Sequence, residues 1–142
     1  MAWFVDVTIE AHPMVISNFQ VPEASGDFCS RGGRFGTHAL NESMAPAFYK
    51  KIVFLSYFNA GVRAVNVRDP YHPKEVGYFI PAITATTDKR CIKANGQDSR
   101  KVAIQTNNVE TDDRGYIYIV DRANTGMHIL ELTGEASAVA TH

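Results

Sequence analysis

The chain has 142 residues, the length of one ordinary domain, and its 45% hydrophobic and 20% charged content supplies enough apolar side chain for a core, excluding a disordered segment. Fourteen Lys and Arg against fifteen Asp and Glu leave a formal charge of -1, which excludes a strongly basic nucleic-acid binder and gives no attraction to anionic membranes. No apolar run approaches the ~18 residues of a membrane span.

Along the chain, short runs of aromatic and β-branched residues alternate with turn residues. No stretch sustains a 3.6-residue apolar period, so strands are expected throughout, with helix a minority. The opening Met1-Ala2-Trp3-Phe4-Val5-Asp6 lacks the basic-then-apolar pattern of an export signal. The compartment expected is therefore cytoplasmic, or extracytoplasmic if this is a piece of a longer exported chain. Strands are expected at residues 3–8 and 14–21, then at 37–41, 51–58, 62–67 and 75–80, and last at 105–110, 116–121 and 127–132. Residues 23–36, with Arg31-Gly32-Gly33-Arg34-Phe35-Gly36, and 82–104, with Asn95-Gly96, lack strand pattern and read as insertions. Successive apolar side chains in Ile52-Val53-Phe54-Leu55 and in Tyr116-Ile117-Tyr118-Ile119-Val120 predict that both faces of these two strands are covered. Cys29 and Cys91 are too few for a disulfide scaffold and too far apart for a CxxC metal knuckle. They read as two free thiols, or as one bridge if the compartment is oxidising.

Internal repetition is the strongest signal. At an offset of 60, Val5 falls on Val65, Val7 on Val67, His12 on His72, Pro13 on Pro73 and Phe19 on Phe79. Each copy reads strand, polar turn ending in His-Pro, strand. Proline fixes its own φ and biases the preceding residue away from helix, which suits a corner between antiparallel strands. At an offset of 65, Ile52 falls on Ile117, Asn59 on Asn124 and Gly61 on Gly126 without a gap. The shared Asn-x-Gly has the composition of a tight hairpin, where Asn and Gly tolerate positive φ.

The run Gly61-Val62-Arg63-Ala64-Val65-Asn66-Val67-Arg68-Asp69-Pro70-Tyr71-His72-Pro73-Lys74-Glu75-Val76-Gly77-Tyr78 resembles the LVIVD-type β-propeller repeat. Tyr116–Val120 followed by Asp121 resembles the strand that precedes it. The resemblance spans the chain outside the two insertions, with Ile9-Glu10-Ala11 replacing Asp-Pro in the first copy. It implies an all-β fold built of four-stranded antiparallel propeller blades. Residues 1–22 would be half a blade, 37–81 a full blade and 105–134 three strands of the next. Nine strands cannot close a ring of about four to eight blades, so the ring in one chain is incomplete. Copies of this chain, as a homo-oligomer, a partner chain, or missing sequence would complete it, and the terminal sheets would otherwise expose apolar faces.

By analogy with other propellers, chemistry would sit where the innermost strands reach the channel mouth. Polar residues gather there: His38, Asn41 and Glu42 in the first inner strand, Asn107, Asn108 and Glu110 in the second. Arg31 and Arg34 precede the first and are placed to reach an anionic ligand. The expectation is a non-catalytic scaffold or binding module with no cofactor. Its alternative is a metal-assisted lyase, hydrolase or oxidoreductase, with a divalent cation on His38, Glu42 and Glu110. Polar inner strands facing a water-filled channel need no ligand at all. No G-x-S-x-G nucleophile elbow occurs, and Asp69 and the Asp112-Asp113 pair read as solvated turn carboxylates.

Overall fold

A computed structural model describes residues 1–94 and 97–141, with side chains described outside residues 90–100. Strands take 42% and helices 12%, so the all-β expectation holds. The elements are β1 (Ala2–Asp6), β2 (Met14–Phe19), α1 (Phe28–Arg31), β3 (Phe35–Leu40), β4 (Ile52–Phe58), β5 (Val62–Asn66), β6 (Lys74–Phe79), β7 (Lys89–Ala94), β8 (Gln97–Val102), β9 (Thr106–Thr111), β10 (Ile117–Asp121), β11 (Gly126–Leu130) and α2 (Gly134–Thr141). All the strand pairs are antiparallel. β1–β2 and β7–β8 form separate hairpins. The other strands make one seven-stranded sheet, β11-β10-β9-β4-β5-β6 with β3 also on β4, curled like half a barrel. Among the described residues β4 and β9 share a single ladder pair, Phe58–Thr106.

The two hairpins at offset 60 pair residue for residue alike. β1–β2 runs from Ala2 opposite Phe19 to Asp6 opposite Met14, with a bulge between Phe4 and Val5. β5–β6 runs from Val62 opposite Phe79 to Asn66 opposite Lys74, with its bulge between Ala64 and Val65. Their turns match too. The Thr8 N–H donates to Asp6 Oδ1 at 2.8 Å, as the Arg68 N–H does to Asn66 Oδ1 at 3.1 Å. The His12 N–H reaches Ile9 O, and the His72 N–H reaches Asp69 O.

The overlay at offset 65 needs a gap, contrary to the sequence reading. Ile52 pairs with Asn66, so an ungapped match would set Ile117 opposite Glu131, but Ile117 pairs with Leu130. Between the matching pairs Val53–Val65 and Ile117–Leu130 the β10–β11 connection is one residue longer, which shifts Ile117 and Ile119 onto Val53 and Leu55. Backbone conformations differ accordingly. Asn124 and Gly126 take positive φ in the second turn, but in the first it is Phe58 (φ 46) and Gly61 (φ 75), not Asn59.

Two apolar clusters flank β4–β5. On one face Phe54, Val62 and Ala64 meet Val109, Ile117 and Ile119, closed by Phe48 and by Val139 of α2. On the other, Leu55, Tyr57 and Val65 meet Phe19, Val21 and Phe28, with Ala2 and Phe4 at the margin. β4 is therefore covered on both faces, as its run of apolar residues predicts. β10 is not: Val120 is 46% exposed beside exposed Met127 and Ile129. Its neighbours cover only the Ile117–Ile119 face. The outer face of β1 is bare as well, with Trp3 61% and Val5 45% exposed, although Val65, the match of Val5, is fully buried.

Both stretches without strand pattern contain structure. Residues 23–36 hold a short 3-10 turn, α1 and the start of β3. Residues 82–104 hold β7 and β8, whose largely polar sequences give no alternation to detect; Asn95 and Gly96 lie outside the described residues. α2 has small residues and few apolar ones, so no amphipathic period announces it, yet Ala136 and Val139 are buried. Among the described residues no helix is long and apolar enough to cross a membrane. Cys29 is a free, exposed thiol, and the Cys91 side chain lies outside the description.

Candidate functional site

β3 and β9 lie near one another where β4 ends, and this brings several of the sequence candidates together. His38 Nδ1 is 2.8 Å from the Asn107 carbonyl oxygen. A carbonyl only accepts, so Nδ1 carries the proton and Nε2 remains the ring's acceptor in the neutral form. The Ser56 hydroxyl donates to the same carbonyl at 2.6 Å. The imidazole stands edge-on to the Phe58 ring at 4.9 Å, and the Arg34 guanidinium lies 5.9 Å from that ring. The Asn107 amide donates to Asn108 Oδ1 and its oxygen accepts from Arg122 Nη1 at 3.3 Å. Arg34 and His38 thus flank Phe58, whose left-handed backbone (φ 46) is uncommon for a bulky residue, and Asn107 joins the group through His38. Sequence reasoning missed Phe58, read only as a strand end, and Arg122, a turn residue with no motif.

The remaining candidates serve the chain's own backbone. Asn41 Oδ1 accepts from the Phe54 N–H at 2.8 Å, and its amide donates to Ser43 O. Glu110 accepts from the N–H groups of Glu42 at 2.7 Å, Ser43 and Thr111. Burial works to raise its pKa, but the Glu42 N–H, the Ser43 hydroxyl and N–H and the Thr111 N–H outweigh that and lower it. Glu42 therefore meets Glu110 through its backbone, while His38 is bound to Asn107. Among the described residues no group of three or more His, Cys, Asp or Glu is gathered as a metal site. Arg31 is engaged elsewhere, its guanidinium 4.6 Å from the Phe28 ring.

Asp112, expected to be solvated, is instead the hub of the β9–β10 turn. Its carboxylate accepts from the Arg114 guanidinium at 2.7 Å, the Tyr118 hydroxyl at 2.9 Å and the Tyr116 N–H at 3.0 Å. Burial opposes ionisation here, yet the Arg114 guanidinium, the Tyr116 N–H and the Tyr118 hydroxyl hold its pKa down at about 2. A depressed carboxylate stabilises the fold above its unfolded pKa, and that contribution is lost as pH falls through the folded value. The Asp112 contribution should be complete above pH ~4 and fade toward pH ~2. Carboxyl-carbon NMR should show Asp112 titrating near 2; a midpoint near 4 would contradict the network.

Compared with known families, curated proteins and solved structures, the chain matches no family model, no curated protein and no solved structure.

Proposed function

We propose that the chain is a segment of a β-propeller of the LVIVD-repeat kind, serving as a non-catalytic scaffold or binding module. Its ring is completed by other chains or by further sequence. The observation that carries this reading is the shared register and bulge of β1–β2 and β5–β6 at an offset of 60 residues. A bulge is a specific local device, and finding it at the same step of two hairpins favours one repeated unit. In that unit β3–β6 is a complete blade, β1–β2 the last half of the blade before it, and β9–β11 three strands of the one after.

The stacking supports the same view. The β5 face with Arg63 and Val65 lies toward the β1 face with Ala2 and Phe4. The opposite β5 face, with Val62 and Ala64, meets Ile117 and Ile119, which match Val53 and Leu55 once the turn, longer by one residue, is allowed for. Each interior contact so joins one face of a unit to the opposite face of the next, as radial stacking needs. The two terminal faces, around Trp3 and around Val120, are left bare and apolar. The binding surface of this module is the rim of inner strands at Arg34, His38 and Asn107, where the Arg34 guanidinium offers donors and His38 Nε2 an acceptor to a polar ligand. The metal reading has less in its favour, because the Glu110 carboxylate is already taken up by backbone N–H groups.

Sedimentation across a wide concentration range tests the incomplete ring. Mass should rise with concentration, and Trp3→Glu combined with Val120→Glu should abolish the rise without changing the circular dichroism. A chain that stays monomeric throughout, with both bare faces in water, would sink the proposal.

A further inference from the structure

The corner between β5 and β6 carries charged side chains that the matching corner of β1–β2 lacks. Asn66, Arg68, Asp69, His72 and Lys74 line a hollow of about 460 Å³ there. At an offset of 60 the corresponding residues are Asp6, Thr8, Ile9, His12 and Met14. Both corners share one backbone. The Thr8 and Arg68 N–H groups bond to the side chains of Asp6 and Asn66, and each histidine N–H closes on the carbonyl three residues before it. Thr8, Ile9 and Met14 sustain that turn, so Arg68, Asp69 and Lys74 are not needed to form it.

Two of the added groups are held in place by neighbours. Asn66 Oδ1 accepts from Arg68 Nε at 3.3 Å, which leaves the terminal guanidinium nitrogens without a protein partner among the described residues. Asp69 Oδ2 lies 2.8 Å from His72 Nδ1, and its Oδ1 accepts from the Tyr71 N–H at 3.0 Å. The bond with His72, then that from Tyr71, keeps the Asp69 carboxyl below its ordinary range, so it stays ionised. With Nδ1 turned to Asp69, Nε2 lies on the other side of the ring and donates when the imidazole is protonated. The Lys74 ammonium has no partner among the described residues either. The His72 and Asp69 side chains are 75% and 60% exposed, where an ion pair adds little to stability. Stability therefore does not account for the cluster.

We propose that this corner is an anion site for the phosphoryl group of a small phosphate monoester, with Arg68, Lys74 and His72 Nε2 as its donors. Three separate cationic groups border one hollow. A phosphate monoester brings three acceptor oxygens and close to two charges, whereas a carboxylate brings two oxygens in one plane and a single charge. Both Asp69 oxygens are already engaged, so that carboxylate positions His72 rather than meeting the ligand. The site does not depend on whether the sheets complete a ring.

Histidine-ring NMR of the full chain titrated with phenyl phosphate at pH ~6, where imidazoles are partly protonated, tests it at constant ionic strength. The His72 signals should move saturably while those of His12, on the same turn without the cluster, stay in place. Benzoate, with the same ring and a carboxylate, should bind at least ~10-fold more weakly. Arg68→Thr combined with Lys74→Met, which copies the first corner, should weaken phenyl phosphate at least ~10-fold with unchanged circular dichroism. Should that variant misfold, the His12 and benzoate comparisons on the unaltered chain still decide. Any of four results overturns the inference: His72 unmoved, His12 moving with it as for an adventitious ion only, benzoate binding equally, or full binding by the folded double variant.

Discussion

Replacing Gly61 with alanine should destabilise the protein by at least ~3 kcal/mol, while the same change at Gly126, its counterpart in the repeated Asn-x-Gly, should cost only about 1 kcal/mol. Both glycines sit at positive φ, 75° and 94°, so each alanine meets the penalty of a left-handed conformation. The surroundings separate them. A Cβ on Gly61 would run into backbone: it would overlap Phe79 O and lie 2.8 Å from Ile80 Cα and 2.9 Å from Phe79 C. Backbone paired into β6 cannot swing aside as a flexible side chain does, so the hairpin must shift against its neighbour. A Cβ on Gly126 meets nothing within 4 Å. Urea denaturation of the two variants should show the Gly61→Ala midpoint far below that of Gly126→Ala with similar slopes. Equal losses would mean that the β5–β6 approach at Gly61 is not as close as described.

Asn59→Asp should be nearly as damaging at neutral pH, about 3 kcal/mol, although it exchanges one NH₂ for one oxygen. The Asn59 amide is buried and donates to two carbonyls, Phe28 O at 2.8 Å and Gly32 O at 2.9 Å, while its own N–H donates to Arg34 O. An aspartate would place a carboxylate oxygen against two acceptors in a buried site. Burial raises the folded pKa of such a group above its unfolded value. A raised carboxyl pKa means the native state binds the proton more tightly, so the deficit should shrink as pH falls toward the unfolded value and grow above it. Thermal melts of Asn59→Asp and wild type at pH 4.5 and 7.5 measure this. A deficit independent of pH would show that the carboxylate reaches water. At Asn124, exposed and donating only to Thr86 O, the same substitution should be nearly neutral.

The contrast between Asn59 and Asn124 marks what was legible beforehand. The strands of the stacked meanders could be located because β-branched and aromatic residues in short runs say so locally. The match at offset 60 could be found because turn chemistry repeats. The exposure of Val120 could not, since an apolar strand looks the same whether or not a neighbouring sheet is present to cover it. The β7–β8 pair was invisible because polar strands pair through backbone groups that leave no mark on side-chain pattern. The one-residue difference between the two Asn-x-Gly turns was hidden as well, because identical residues adopt different conformations under different strand registers. Of the candidate site, residue type identified His38, Arg34 and Asn107. Type alone could not tell Glu110 and Asn41, which hold their own backbone, from groups free to meet a ligand. Phe58 entered only through its position between His38 and Arg34.

The bulge common to β1–β2 and β5–β6 bears on how such a chain tolerates change. A bulge sharpens strand twist locally, so the same kink at the same step gives both hairpins their coiling from within. Loops joining them then carry little responsibility for orientation. Segments of different length and content, such as the helical excursion before β3 and the β7–β8 arm before β9, can then vary in length without altering the coiling of either hairpin.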